Sequence, residues 1–305
     1  MFTVQNQKRS LHLQLGTATD ASLDVGLPVL AGQGIERFFP TAKRVGIQNG
    51  WTLHKDGDFL LGTCSVPAND LSEAATRAYR SLLECLDEYH LCRIWNFVPG
   101  INTNSPGGME HYREFCCGRS LAFESFLGPS FPIALPAATA VGTDSGNLSV
   151  IFAAHRVRPV HFENPLQTPA YCYPADYGPR PPSFARATVV RTHSRQNHVF
   201  ISGTAAIRGH QSVHTGDTAS QLDCTVRNLQ AIGEACGLGA DLGAGNPSRA
   251  IKIYLRKASD LPLAQEVLSR TLLHPSDQGC YLRSDICRSE LDVEIELSVL
   301  NARLH

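Results

Sequence analysis

The most regular stretch of the chain lies near its C-terminus. From Leu291 to Val299, apolar Leu291, Val293, Ile295, Leu297 and Val299 alternate with polar positions that include Asp292, Glu294 and Glu296. Successive side chains of a strand point to opposite faces, so this pattern predicts one aliphatic face and one face carrying three carboxylates. Taken alone, it describes a half-exposed antiparallel strand with its acids in water. If the acidic face lined a cleft instead, burial and mutual repulsion would keep one carboxyl protonated near neutral pH. Such a group can act as a general acid.

Similar patterns divide the rest of the chain. Residues 1–50, rich in Gly, Pro and Thr, predict only a short strand at 11–15. A strand over 58–63 closes on a Gly62-Thr63 turn. Asp70-Leu71-Ser72-Glu73 has capping-box spacing and opens a helix with Leu71, Ala75, Ala78, Leu82 and Leu86 on one stripe. A strand at 92–98, a helix from about Met109 to Phe126 and a strand at 148–154 follow. Beyond Ala187 the order recurs: a strand at 199–204 ending in Gly203-Thr204, then a capping box at Thr218-Ala219-Ser220-Gln221. Its helix turns Leu222, Val226, Leu229, Ile232 and Ala235 inward. A strand at 250–255, a helix at 263–273 and the terminal strand complete it. Two passes through one order of elements indicate internal duplication. The expected fold is α+β, with two tandem halves, 1–155 and 187–305, each a mixed sheet with helices on one face. Residues 156–186, dense in Pro, Tyr and Arg, would connect them, either as a plain linker or as the lining of a cleft.

Composition narrows the function. The hydrophobic fraction of 43% suits a globular core, and a net charge of -1 leaves no basic footprint for nucleic acid. No apolar run approaches the roughly 18 residues of a membrane span. Met1–Arg9 lacks the apolar core of a signal peptide, which points to the cytoplasm, where the ten cysteines read as free thiols. There is no CxxC, HExxH, P-loop or GxSxG. Gly237–Gly243 resembles a dinucleotide fingerprint, but its spacing is wrong and it follows a helix. Nothing calls for a metal or an organic cofactor. Tyr112 and Arg119 share a helix face, and a guanidinium there could clamp a carboxylate through two parallel hydrogen bonds. Arg256, just after the 250–255 strand, is a second such arginine. Arg180, Arg186 and Arg283 are others of the same kind, and a substrate with two carboxylates would need two that converge.

These motifs gather into a family. The repeated strand–Gly-Thr–helix unit and the terminal Val293-Glu294-Ile295-Glu296 resemble the YjgF/RidA fold, duplicated in one chain. More narrowly, residues 112–119, 171–187, 199–207 and 285–296 resemble the chorismatases, which release pyruvate from chorismate without metal or organic cofactor. Chorismate is a cyclohexadiene with a ring carboxylate and an enolpyruvyl ether carrying a second one. The resemblance implies that Glu294 protonates the enolpyruvyl methylene. Arg119 and Arg256 would hold carboxylates, with Tyr112, Tyr173 and Tyr177 lining the site. Gly203 and Cys287 match the hydroxybenzoate-forming branches, whereas the hydrolytic branch tends to have Ala at both. The expected products are therefore 3-hydroxybenzoate, with some 4-hydroxybenzoate, and pyruvate. Three alternatives stay open: a hydrolytic chorismatase giving a dihydroxycyclohexadiene acid, a non-catalytic YjgF-like ligand-binding protein, and a pterin-dependent oxygenase, for which the sequence offers no iron facial triad. Gly279 stands where simple RidA proteins carry a catalytic Arg, which disfavours imine-deaminase chemistry. The expected assembly is a trimer, as in single-domain relatives, or a monomer whose duplication satisfies part of that interface.

Overall fold

The structure is a computed structural model that describes residues 10–16, 22–192 and 197–304. The chain opens with β1 (Ser10–Leu15), β2 (Ser22–Gly32) and β3 (Ile35–Phe38). The first repeat runs β4 (Lys43–Gln48), β5 (Trp51–Asp56), β6 (Phe59–Pro67), α1 (Leu71–Glu84), β7 (His90–Pro99), α2 (His111–Leu127), β8 (Ala137–Thr143) and β9 (Asn147–His155). The junction supplies β10 (Val160–Phe162). The second repeat runs β11 (Ala187–Val190), β12 (Asn197–Ala205), the small hairpin β13 (Ile207–Arg208) and β14 (Gln211–Ser212), then α3 (Thr218–Ala235), β15 (Arg249–Leu255), α4 (Leu261–Thr271), β16 (Gln278–Arg283) and β17 (Val293–Ala302).

The duplication holds at the level of topology. The first sheet contains the order β5-β6-β9-β7-β8, and the second contains β11-β12-β17-β15-β16. In each, the last pair is parallel and the other pairs are antiparallel. The ends of the sheets break the symmetry. β2 pairs with β16, so β2, β1 and β3 extend the second sheet, not the first. The strands β1 to β3, in a region expected in the N-terminal half and mostly as loop, thus belong to the C-terminal sheet.

Three apolar layers follow from the alternation of each strand. Ile94 and Val98 of β7 pack under α1 and α2, while Trp95 and Phe97 point the other way, into a core shared with Phe200, Tyr254 and Leu282 of the second sheet. On β17, Val293, Ile295, Leu297 and Val299 pack with Leu222 and Leu229 of α3 and Leu268 of α4. The molecule is therefore helices, sheet, sheet, helices, with the sheets face to face. The Asp70 side chain caps α1 by accepting from the Glu73 N–H at 2.8 Å. At α3 the cap is Asp217, one residue before the expected Thr218, and Ala235, expected inward, is exposed. The two Gly-Thr pairs are not turns but lie inside β6 and β12.

The sheets are joined by polar contacts where the site lies. β8 edges the first sheet, and two of its N–H groups are satisfied by hydroxyls of the second: Ala137 donates to Thr188 Oγ1 (2.7 Å) and Ala138 to Ser202 Oγ (2.9 Å). The Gly203 N–H donates to Thr139 Oγ1 at 2.9 Å. The Gly142 N–H donates to the Asp285 carbonyl at 2.8 Å, which ties the loop before β17 to β8.

Candidate active site

The acidic face of β17 is not in water. Glu294 and Glu296 project between the sheets and are 4% and 2% exposed. Asp292 leaves the row: its carboxylate lies against Thr218 and Gln221 of α3, while Leu291 turns into the inter-sheet core. The strict alternation therefore begins only at Val293. The Gln221 side chain enforces the change by accepting from the Asp292 N–H at 2.8 Å.

The two remaining acids have opposite surroundings. Glu296 accepts from Trp95 Nε1 (2.8 Å) and Arg93 Nη2 (2.8 Å) and pairs with Lys252 Nζ (2.7 Å). Burial acts to raise its pKa, but Lys252 and Arg93, helped by hydrogen bonds from Lys252 and Thr139, outweigh it and hold the group below the usual carboxylate range. Glu294 has no hydrogen bond or ion pair among the described residues. Burial first, then the charge of Glu296, raise its pKa to about 8 against the pull of Arg93 and Arg186. Two carboxyls on one strand face are thus split into a fixed anion and a neutral acid, the division an acid–base site needs.

Glu294 borders a cavity of about 220 Å³. Gly203, Tyr112, Cys287 and Phe184 line it together with the acid, and Arg186, Tyr173, Tyr177 and Arg288 complete its wall. A narrow extension passes Tyr112 and Thr139 to reach Arg119. Gly203 makes the space: a Cβ there would overlap Glu294 Oε1 and stand 2.8 Å from its carboxyl carbon. Burial, reinforced by Glu294, keeps the Cys287 thiol protonated. Burial likewise raises the Tyr112 phenol far above its ordinary value.

Arg119 is 1% exposed, and its Nε and Nη2 have no hydrogen-bond partner among the described residues. Its guanidinium lies 5.0 Å from the Phe115 ring centroid. A buried, unsatisfied guanidinium is costly unless an anion completes it, so this group marks an anion position. Arg186 donates to Tyr173 Oη at 2.7 Å and keeps a buried Nε without a partner among the described residues. Arg288 stacks 4.0 Å from the Tyr177 ring centroid and donates to the His210 carbonyl at 2.8 Å. The cavity can therefore hold an anionic ring between aromatic walls, with a neutral acid beside it.

Arg256 does not reach this cavity. Its Nε donates to the Leu291 carbonyl (2.8 Å), Nη1 to Asp285 (2.8 Å), and Nη2 to Asn102 and the Ile286 and Arg288 carbonyls (3.1, 3.3 and 2.9 Å). With every nitrogen engaged, it braces the loop ahead of β17 and does not line the cavity beside Glu294. This corrects the expected role. Arg180 pairs with Glu124 and Arg283 lies near Asp144 and Asp285, both away from Glu294. The converging arginines are Arg119, Arg186 and Arg288. Arg288 and Phe184 escaped the sequence reading, although both sit inside the stretches that carried the resemblance. The junction 156–186 is cleft lining: Tyr173 and Tyr177 belong to its two short 3-10 turns or their caps, and Phe184 and Arg186 lead into β11.

Known proteins resemble this chain over most of its length. Residues 39–154 match the family model described as "Chorismatase FkbO/Hyg5-like, N-terminal". A 3-hydroxybenzoate synthase of Streptomyces hygroscopicus is 38% identical over 82% of this chain and 76% of its own length. A chorismatase of Streptomyces rapamycinicus is 35% identical over 83% of this chain and 78% of its own. A chorismatase crystal structure superposes with a TM-score of 0.78 at 30% identity, covering 97% of this chain and 94% of that one. The chain belongs to the chorismatase family.

Proposed function

We propose that the protein converts chorismate to 3-hydroxybenzoate and pyruvate, with Glu294 as the acid. The observation that carries this is the neutral, unpaired Glu294 carboxyl beside a buried Arg119 with free donors. Arg119 receives one substrate carboxylate in the deep end of the cavity. Arg186, with Tyr173 attached, and Arg288 face the second, while Tyr112, Phe184 and Tyr177 bound the ring.

The reaction then follows from the charges. Glu294 delivers its proton to the enolpyruvyl methylene carbon, and the ether-bearing carbon becomes an oxocarbenium ion. The Glu294 carboxylate left behind, and the fixed anion Glu296, stabilise that cation. The neighbouring ring hydroxyl attacks it to close a cyclic ketal. The bond between that hydroxyl oxygen and the ring then breaks, and the ring loses a proton to Glu294 as it becomes aromatic. The hemiketal left on the ether oxygen collapses to 3-hydroxybenzoate, whose phenol takes the proton the hydroxyl gave up, and pyruvate. Hydroxybenzoate and pyruvate together contain all the atoms of chorismate, so no water is consumed and the acid is regenerated. The hydrolytic outcome would consume one water. The small aromatic-walled cavity supports the internal nucleophile. Cys287, protonated and adjacent to Glu294, is placed to steer the ring hydroxyl.

The test is incubation with chorismate and separation of the products. Pyruvate and 3-hydroxybenzoate in equal amounts are expected, and no pyruvate above the uncatalysed background would refute the reading. Because the acid form does the work, activity is present below the Glu294 pKa of about 8 and falls tenfold per pH unit above it.

A further inference from the structure

Glu296 sets the charge beside Glu294, and behind it a line of buried charges runs to the N-terminal strands. Lys252 on β15 pairs with Glu296 at 2.7 Å and donates to both oxygens of Glu36, at 2.9 and 2.7 Å. Glu36 belongs to β3, the outermost strand of the second sheet, with β16, β2 and β1 between it and β15. The sheet therefore rolls over until its edge meets its own inner face. Arg93 of β7 holds Glu296 from the opposite sheet. Two carboxylates and two cations make a neutral cluster.

We infer that Glu36 is a positioning residue for the acid chemistry of Glu294: by occupying Lys252, it leaves the cluster neutral and Glu294 unneeded as a counter-ion. This rests on the reading of Glu294 as the acid. Without the Glu36 charge, Glu296 is the carboxylate that stays in contact with both Lys252 and Arg93 among the described residues. The excess positive charge would then favour ionisation of the next carboxyl on the same strand face, two residues away. Ionised, Glu294 has no proton to give.

The remaining charges around Glu294 do not replace this one. Arg119 of α2, Arg186 ahead of β11 and Arg288 ahead of β17 all add positive charge, which makes a negative compensator more necessary. Tyr112, Tyr254 and Cys287 are kept neutral by burial. Glu110, Arg113, Asp176 and Glu290 stand at the mouth of the cavity. Around Glu36 itself, Tyr254 and Cys280 are also kept neutral by burial. Glu36 borders a separate cavity of about 470 Å³ beside Ser298 and Phe200, which gives it a route to exchange protons. Burial raises Glu36 to about 7 against the pull of Lys252.

The test compares wild type, Glu36→Gln and the compensated double variant Glu36→Gln/Lys252→Gln. Two readouts are followed against pH: kcat/KM for pyruvate release, and the Glu294 carboxyl seen by 13C NMR and assigned by its loss in Glu294→Gln. Glu36→Gln keeps the shape of the side chain and removes its charge. Both midpoints are expected to fall by about one unit, a tenfold loss of the acid form above the midpoint. The double variant leaves Glu296 with Arg93 and is expected to return both midpoints to the wild-type position. Unchanged midpoints in folded Glu36→Gln would overturn the inference. If that variant does not fold, a double variant whose midpoint stays displaced from wild type overturns it equally. Absence of pyruvate release by wild type would count against the proposed function, while the carboxyl titration would still report on the cluster.

Discussion

Gly203 and Arg256 mark what single residues disclose. A glycine opposite an acid is legible as space, and the structure gives it a use: only hydrogen at that position lets Glu294 occupy its site. Gly203→Ala must push the carboxyl aside, and a displacement of about an ångström at a reacting group costs roughly 10²-fold. We expect kcat to fall by about that factor and part of the product to become the water-derived dihydroxy acid, as chromatography of the products would report. An unchanged rate and product would show that the carboxyl sits elsewhere. The alternation puts Glu294 and Glu296 on one face of the strand, and the structure buries both between the sheets. The role of Arg256 was not legible. An arginine after a strand can face a ligand or gather backbone carbonyls, and the choice depends on where residues 285–291 fold back. The unpaired donors of Arg119 were equally invisible, since they are defined by what the packing fails to supply.

At the scale of elements, alternation and capping located the amphipathic helices and most strands of the repeat. The elements it missed share a physical cause. β8, Ala-Ala-Thr-Ala-Val-Gly-Thr, is nearly all buried, on one side under α2 and on the other against the second sheet, so its side chains are small on both faces and no period shows. β11, with all four residues buried, is hidden in the same way. β2 and β3 lie in Gly- and Pro-rich sequence, and their pairing with β16 and β1 is a tertiary event that local propensity does not encode. The loop between β16 and β17 owes its course to Arg256 and the Asp285 carbonyl contact with β8. Arg256→Ala strips hydrogen bonds from four loop residues, and each is worth about 1 kcal/mol net, more where the partner is charged. A melting temperature lower by roughly 5 °C or more is expected, together with a higher KM, because the loop carries Cys287 and Arg288. Differential scanning calorimetry and steady-state kinetics would check both, and a variant with the wild-type melting temperature would contradict the bracing role.

For the whole molecule, the repeat was readable and its assembly was not. Two halves of like topology suggest two independent units, yet the largest side chains of each inner face share one core, and the three strands described between Ser10 and Phe38, β1, β2 and β3, serve the second sheet. The acid is on one half, Arg119 on the other, and Glu296 is held by both. The halves should therefore unfold together: calorimetry is expected to give one transition whose calorimetric and van't Hoff enthalpies agree, and two resolved transitions would argue for separable units. The same sharing explains why the alternation alone describes a half-exposed acidic face, since a strand by itself cannot show that a second sheet covers its acids.

The central claim is that Glu294 protonates the enolpyruvyl methylene of chorismate inside that shared interface. A brief reaction in D2O, with the pyruvate analysed by mass spectrometry before its methyl group exchanges, tests it directly. Wild type is expected to give pyruvate carrying one deuterium in the methyl group, and Glu294→Gln, which keeps the shape and loses the acid, is expected to be slower by about 10³-fold or more. Pyruvate formed by folded Glu294→Gln at the wild-type rate would contradict the account.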